Sequence, residues 1–143
     1  MSKENRGSLK SSFYYAFQGI MTCLKNERNI KIHCTMAALV VTAGAILRIS
    51  AVEWSICFAL FGLIMGLELV NTAIEAVVDL VTEERRPLAK VAKDTAAGAV
   101  LIASVMAAIA GLIIFLPKGI AWIAALLGYV LRINYPYKLN YQS

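Results

Sequence analysis

Apolar residues recur along this chain in two ways, and the difference separates its elements. Across residues 8–25, Leu9, Phe13, Phe17, Ile20 and Leu24 return at three- and four-residue spacing among polar neighbours. That period predicts an amphipathic helix, with Tyr14 and Tyr15 available to a membrane interface. The segment is too polar to cross a bilayer and is expected to lie flat on one leaflet. Three later stretches are apolar all round. Residues 30–49 carry no charge between 34 and 47, residues 54–67 carry none, and residues 95–116 are alanine-rich with Gly98 and Gly111. A span takes about 20 apolar residues, so these predict three transmembrane helices. The second starts near Trp54 and runs to about residue 81, longer than a bilayer needs, so its last turns project beyond the lipid.

The polar interruptions predict the joints. Asn26-Glu27-Arg28-Asn29 reads as a turn, and residues 50–53 as a short outer turn followed by Trp54 in an aromatic belt. Thr82-Glu83-Glu84-Arg85-Arg86-Pro87 is a charged loop whose proline marks a helix boundary. Leu116-Pro117-Lys118-Gly119 is expected to stop the third span. Residues 119–131 are then apolar for only thirteen residues before Arg132, Tyr135, Tyr137, Lys138 and Tyr141, which reads as an interfacial segment, with a short fourth span as the alternative. Residues 1–7 are polar and read as a frayed end. Gly62 and Gly66 form a G-x-x-x-G pair that permits close helix contact. The fold class is all-α and integral to the membrane: an N-terminal amphipathic surface helix, three transmembrane helices and an extra C-terminal apolar segment. Residues 1–118 form one membrane domain, and residues 119–143 an extension.

Composition sharpens this. The 143 residues are 59% hydrophobic with a mean hydropathy of +0.68, against about 45–50% apolar in soluble domains. So short a chain cannot bury that much apolar surface against itself. The net charge of +5 is spread as short flanks: Lys3, Arg6, Lys10, Lys25, Arg28 and Lys31 precede the first span, and Arg85, Arg86, Lys90 and Lys93 lie between the second and third. Only Arg48 is basic between the first two spans. The positive-inside rule places the N-terminus and the 82–93 loop in the cytoplasm. Basic flanks of this kind argue against nucleic acid and suit anionic headgroups or nucleotide phosphates. Cys23, Cys34 and Cys57 lack metal or disulfide spacing, and no signal peptide is visible.

The candidate chemistry follows the uncharged run 54–67. Glu68, Asn71, Glu75 and Asp79 fall on one face of a helix whose other residues include Leu69, Val70, Ala73, Ile74, Val77 and Val78. A carboxylate at membrane depth costs roughly 2.5–3.5 kcal/mol on insertion scales, so such groups face a bundle interior, a metal or a polar substrate. Asp79 is equally well read as a solvated residue where the helix leaves the membrane. The lone His33 reads as a headgroup or capping contact rather than a metal ligand. Glu27, Glu68, Asn71, Glu75, Lys93 and Asp94 all gather near the cytoplasmic end. Carboxylates with an amide suit Mg²⁺, which binds through one or two carboxylates plus phosphate oxygens. Lysine adds a charge for phosphate, and a free carboxylate can serve as a base, which together make a phosphoryl-transfer set. No G-x-x-x-x-G-K-[ST] loop and no H-R-D loop are present. An acidic proton or cation relay, or a structural subunit paired through its acidic stripe, stays open on these residues alone.

The order Glu68-x-x-Asn71-x-Ala73-Ile74-Glu75-x-x-x-Asp79, followed by Ala92-Lys93-Asp94 and Ala96-Ala97-Gly98-Ala99-Val100, resembles the bacterial membrane diacylglycerol kinase family over residues 8–118. Glu27-Arg28-Asn29, Val52-Glu53-Trp54, Pro87-Leu88-Ala89-Lys90 and the run from Gly111 to Lys118 resemble its Gram-positive branch, the undecaprenol kinases. The resemblance implies a homotrimeric, ATP- and Mg²⁺-dependent lipid kinase of the inner (cytoplasmic) membrane, with active sites shared between subunits at the cytoplasmic face. It implies undecaprenol as the lipid alcohol, with diacylglycerol as the alternative. By position, Glu68 matches the proton acceptor, with Asn71 needed beside it. Glu27 and Glu75 match the Mg²⁺ pair, and Tyr15, Glu84, Arg85, Arg86, Lys93 and Asp94 match nucleotide contacts. Asp79 matches without a clear role. The chain departs from the Gram-negative type at Ser8, where that type has arginine, at Phe17, where it has tryptophan, and at His33, where it has an acidic residue.

Overall fold

The structure, a computed structural model, describes residues 8–134, and its secondary structure is entirely helical. Helix α1 is Leu9–Asn26, α2 is Arg28–Leu47, α3 is Ala51–Val81 and α4 is Pro87–Asn134. The expected frayed start at residues 1–7, and the tail with Tyr135, Tyr137, Lys138 and Tyr141, lie outside the described residues. Helices α2, α3 and α4 are long and apolar enough to cross a bilayer.

A single residue breaks α1 from α2. Glu27 leaves helical space at φ −89° and ψ 129°, while its N–H still donates to the Cys23 carbonyl at 2.8 Å. Lys31 Nζ donates to the Lys25 carbonyl at 2.8 Å, setting a cation on oxygens that the end of α1 leaves unpaired. The turn expected at 26–29 is therefore narrower, and α2 already begins at Arg28.

The opposite end of α2 closes on a left-handed residue, Arg48, at φ 52° and ψ 54°. Ser50 then caps α3 with a capping box: its N–H donates to Glu53 Oε2 at 2.7 Å, and the Glu53 N–H donates to its Oγ at 3.3 Å. Glu53 and Trp54 thus sit in the first turn of the helix, not ahead of it. Below this turn lies the small apolar core, Ile49, Cys57 and Ile114, with Trp54, Phe61 and Phe115 packed around it. Trp54 can pack there because position 44 is glycine. A Cβ on Gly44 would lie 2.8 Å from Trp54 Cη2 and 3.0 Å from Ile49 Cδ1.

Helices α3 and α4 run antiparallel and are tied at both ends. Lys118 Nζ lies 3.4 Å from Glu53 Oε2 at one end, and Lys93 Nζ donates to Asp79 Oδ1 at 2.6 Å at the other. Thr82 Oγ1 accepts the Glu84 N–H at 3.1 Å in the connecting loop. Pro87 occupies the first position of α4, where no backbone donor is required.

One expectation fails. The stop at Leu116-Pro117-Lys118-Gly119 is absent, and α4 continues through Pro117 for 48 residues in all, about 72 Å at 1.5 Å per residue. Pro117 removes one backbone hydrogen bond, whereas ending the helix inside an apolar run would strand several polar groups. Residues 119–134 therefore prolong the third span and do not start a new element.

Most apolar side chains remain uncovered within the protomer. Leu63, Leu101, Ile102 and Ile113 on α3 and α4 are exposed, as are Leu9, Phe13 and Phe17 on α1. Gly62, Gly66, Gly98 and Gly111 also face open space, so the close contacts expected of them are not made inside one chain. Lipid or further subunits must cover these faces. Gly44→Ala should destabilise the outer turn by about 1–3 kcal/mol, the usual cost of overpacking. Thermal unfolding in detergent checks this, and an unchanged midpoint would contradict the Trp54 packing.

Candidate functional site

The acidic stripe of α3 is where the apolar pattern and the burial disagree most. Glu68 is 2% exposed and Asn71 7%, although both belong to residue types that avoid the interior unless paired. Each has found a partner. Glu68 Oε1 lies 3.2 Å from His33 Nε2 on α2. Asn71 Nδ2 donates to Glu75 Oε1 one turn along, at 3.0 Å. The Thr72 hydroxyl donates to the Glu68 carbonyl at 3.0 Å and also lies 3.3 Å from Cys23 Sγ on α1. These contacts gather α1, α2 and the middle of α3 at one place.

That gathering sets two further expected residues within about a turn of one contact. Glu27 follows Cys23 by four residues and Glu75 follows Thr72 by three. Each therefore stands about one helical turn from the same α1–α3 contact. Both are half-buried. His33 lies five residues into α2 and Glu68 lies thirteen residues before the end of α3. In antiparallel helices this makes α3 overshoot the start of α2 by roughly 12 Å. The stripe thus begins within the apolar layer at Glu68 and ends beyond it at Asp79.

The remaining positions are more exposed. Lys93 is tied to Asp79, which gives Asp79 a definite contact where the sequence assigns no clear role. Asp94 pairs with Lys90, and Arg86 with Glu84 at 3.1 Å. Arg85 is exposed beside them. Tyr15 is exposed on α1 and packs edge-on against Tyr14, with ring centroids 5.6 Å apart. No described contact joins Tyr15 or the 84–86 loop to the buried stripe.

Two cavities flank the stripe. A long apolar groove of about 850 Å³ runs between α2, α3 and α4, with His33, Met36, Ile64 and Ser104 in its wall. A smaller hollow of about 470 Å³ lies between α3 and α4 against Asn71, Ile74, Ala92 and Thr95. Asn71 Oδ1 is buried and accepts no hydrogen bond among the described residues. Such an oxygen is costly unless a donor or a cation completes it.

This donor set fits a hard cation. No group of three or more His, Cys, Asp or Glu side chains able to hold a metal occurs among the described residues. Mg²⁺ does not require one, since it usually binds through one or two carboxylates with phosphate oxygens and water supplying the rest. Glu27, Glu75 and the orphaned Asn71 oxygen are all oxygen donors of that kind. A cation held at Glu27 and Glu75 would offset phosphate charge there, and Glu68 is a separate, buried carboxylate on the same helix face as Glu75.

Sequence reasoning missed the contact made by His33. It also missed Thr72 and Cys23, which join α1 to α3. The available signal was a single histidine placed directly ahead of the uncharged run 34–47.

Comparison with known proteins agrees with this architecture. The profile of the family described as prokaryotic diacylglycerol kinase matches residues 14–115, from α1 to the part of α4 before Pro117. An undecaprenol kinase of Bacillus subtilis (strain 168) is 47% identical over 120 residues, 82% of this chain and 98% of the relative. A diacylglycerol kinase of Synechocystis sp. is 42% identical over 111 residues, 77% of this chain and 63% of that protein. One from Haemophilus influenzae is 34% identical over 95 residues, 66% and 80% of the two chains. With its buried stripe and three apolar spans, the chain belongs to the prokaryotic diacylglycerol kinase family, the kinases of membrane lipids.

Proposed function

We propose that this protein transfers the γ-phosphate of ATP to the terminal hydroxyl of undecaprenol, giving undecaprenyl phosphate. The observation that carries the reading is the 47% identity to an undecaprenol kinase across 98% of that protein's length, together with a carboxylate buried beside an unsatisfied amide oxygen on α3. Diacylglycerol is the second acceptor, favoured by the names of the Synechocystis and Haemophilus relatives.

The acceptor stays in the bilayer and presents its hydroxyl to Glu68 from the apolar side. Glu68 takes the hydroxyl proton, the alcohol oxygen forms a bond to the γ-phosphorus, and the bond to the ADP oxygen breaks. Asn71 holds Glu75 through its amide and offers its free oxygen toward the reacting groups. Glu27 and Glu75 would hold Mg²⁺, whose charge offsets that of the phosphates. Lys93, steadied by Asp79, and Asp94 contact the nucleotide, with Tyr15, Glu84, Arg85 and Arg86 around it. Orientation and charge neutralisation supply most of the acceleration, as in other phosphoryl transfers. The nucleotide arrives from the cytoplasm at the inner membrane, in a homotrimer whose neighbouring subunits complete each site. Residues 119–143 form an extension to the kinase domain 1–118.

Purified protein given γ-labelled ATP should label undecaprenol more readily than diacylglycerol in parallel reactions. Label on neither lipid would defeat the kinase reading, and ion flux in liposomes without ATP consumption would favour a transporter instead. Glu68→Gln should lower kcat by roughly 10²–10⁴-fold, the usual weight of a general base, while ATP still binds. Glu75→Gln should weaken Mg²⁺-ATP binding as well as turnover. Equal ATP affinities in the two variants would count against this division of roles. Deletion of residues 119–143 should leave turnover close to that of the full chain, because every assigned residue precedes Pro117. An inactive but folded truncation would draw the extension into the site.

A further inference from the structure

The Glu68 carboxylate has one polar partner among the described residues, and that partner comes from another helix. His33 Nε2 lies 3.2 Å from Glu68 Oε1 across the α2–α3 interface. The side chains are 21% and 3% exposed, so neither group is left to water alone. Glutamate has three side-chain torsions, and nothing else on α3 bonds this carboxylate. The Thr72 hydroxyl holds only the backbone carbonyl of the same residue. Without the imidazole, Glu68 would be buried with no polar partner for its carboxylate among the described residues, an arrangement that costs free energy and precision together.

The ring also stands at a boundary. His33 contributes to the wall of the apolar groove between α2, α3 and α4, whose other lining is almost wholly hydrocarbon. An alcohol entering this groove would therefore meet the imidazole, with the buried carboxylate 3.2 Å behind it. We propose that His33 is the positioning residue of Glu68: its Nε2–H donates to Oε1 and aims Oε2 at the acceptor hydroxyl. The proposal rests on the assignment of Glu68 as the base. The arrangement is particular to a chain with histidine at this position, since a carboxylate here would repel Glu68 or compete with it for the proton.

The chain contains one histidine, which makes the contact directly observable. Untagged protein labelled with ¹⁵N-histidine has a single imidazole spectrum. Its Nε2 resonance should move in Glu68→Gln and stay in place in Glu75→Gln. An Nε2 resonance indifferent to Glu68→Gln would overturn the contact. In the kinetic arm, His33→Phe should lower kcat by about 10- to 100-fold through misplacement of the base, with the KM for ATP unchanged. His33→Gln keeps an N–H donor at that depth and should recover most of the loss. Wild-type kcat in His33→Phe would refute positioning. So would equal kcat losses in both variants that track their loss of thermal stability, which is the behaviour of a merely structural clamp. Failure of the underlying assignment looks different: Glu68→Gln would turn over like the parent while the Nε2 shift persisted.

Discussion

A carboxylate buried in an apolar helix is the constraint on which this structure turns. Glu68 follows an uncharged run of fourteen residues and is almost wholly removed from solvent. An acidic group at that depth is tolerated only where other elements bring polar partners to it. That partner arrives on α2, where His33 Nε2 lies 3.2 Å from Glu68 Oε1, so α2 and α3 must be neighbours in one register. That register depends in turn on the tight joint at Gly44, Arg48 and Ser50, where Trp54 occupies the space a larger side chain at position 44 would take. The polar pair near one end and the aromatic packing near the other are two ends of a single geometric requirement.

The remaining architecture distributes polarity along the membrane normal. Helix α3 outruns α2, so the same face passes from a buried acid through a half-buried one at Glu75 to the exposed Asp79. Helix α1 joins this gradient through Cys23 and Thr72, which brings Glu27 to the level of the stripe. Lys93 at the start of α4 adds a cation at the wetter end. A lipid alcohol and a nucleotide phosphate dissolve in opposite media, and in the proposed reaction a graded helix face would let each remain in its own while the reacting atoms meet. The uncovered apolar faces and the open glycines on α3 and α4 suit a surface that faces lipid or packs against another helix.

Much of this is legible from residue order. The three-and-four spacing of α1, the lengths of the first two spans and the shared face of Glu68, Asn71 and Glu75 are local properties that periodicity reports directly. The failures have separate physical causes. Pro117 reads as a stop because the penalty for proline is familiar from helices in water, where released backbone groups can be solvated. In an apolar layer the same proline costs less than the break it would otherwise cause. The His33–Glu68 contact joins residues thirty-five positions apart and exists only once two helices are set in register, so no local pattern announces it. The Cys23–Thr72 and Lys93–Asp79 contacts are hidden for the same reason. G-x-x-x-G at Gly62 and Gly66 permits a close neighbour, but no helix of the same chain packs there.

The most direct measurement is an experimental structure of the assembled protein in lipid, with Mg²⁺ and a non-hydrolysable ATP analogue. Glu27 and Glu75 should both contact the metal bound to the phosphates, with the Glu68 carboxylate facing the γ-phosphate from the membrane side and His33 still bonded to it. Metal and nucleotide bound away from all three glutamates, in every subunit, would contradict the proposed site outright.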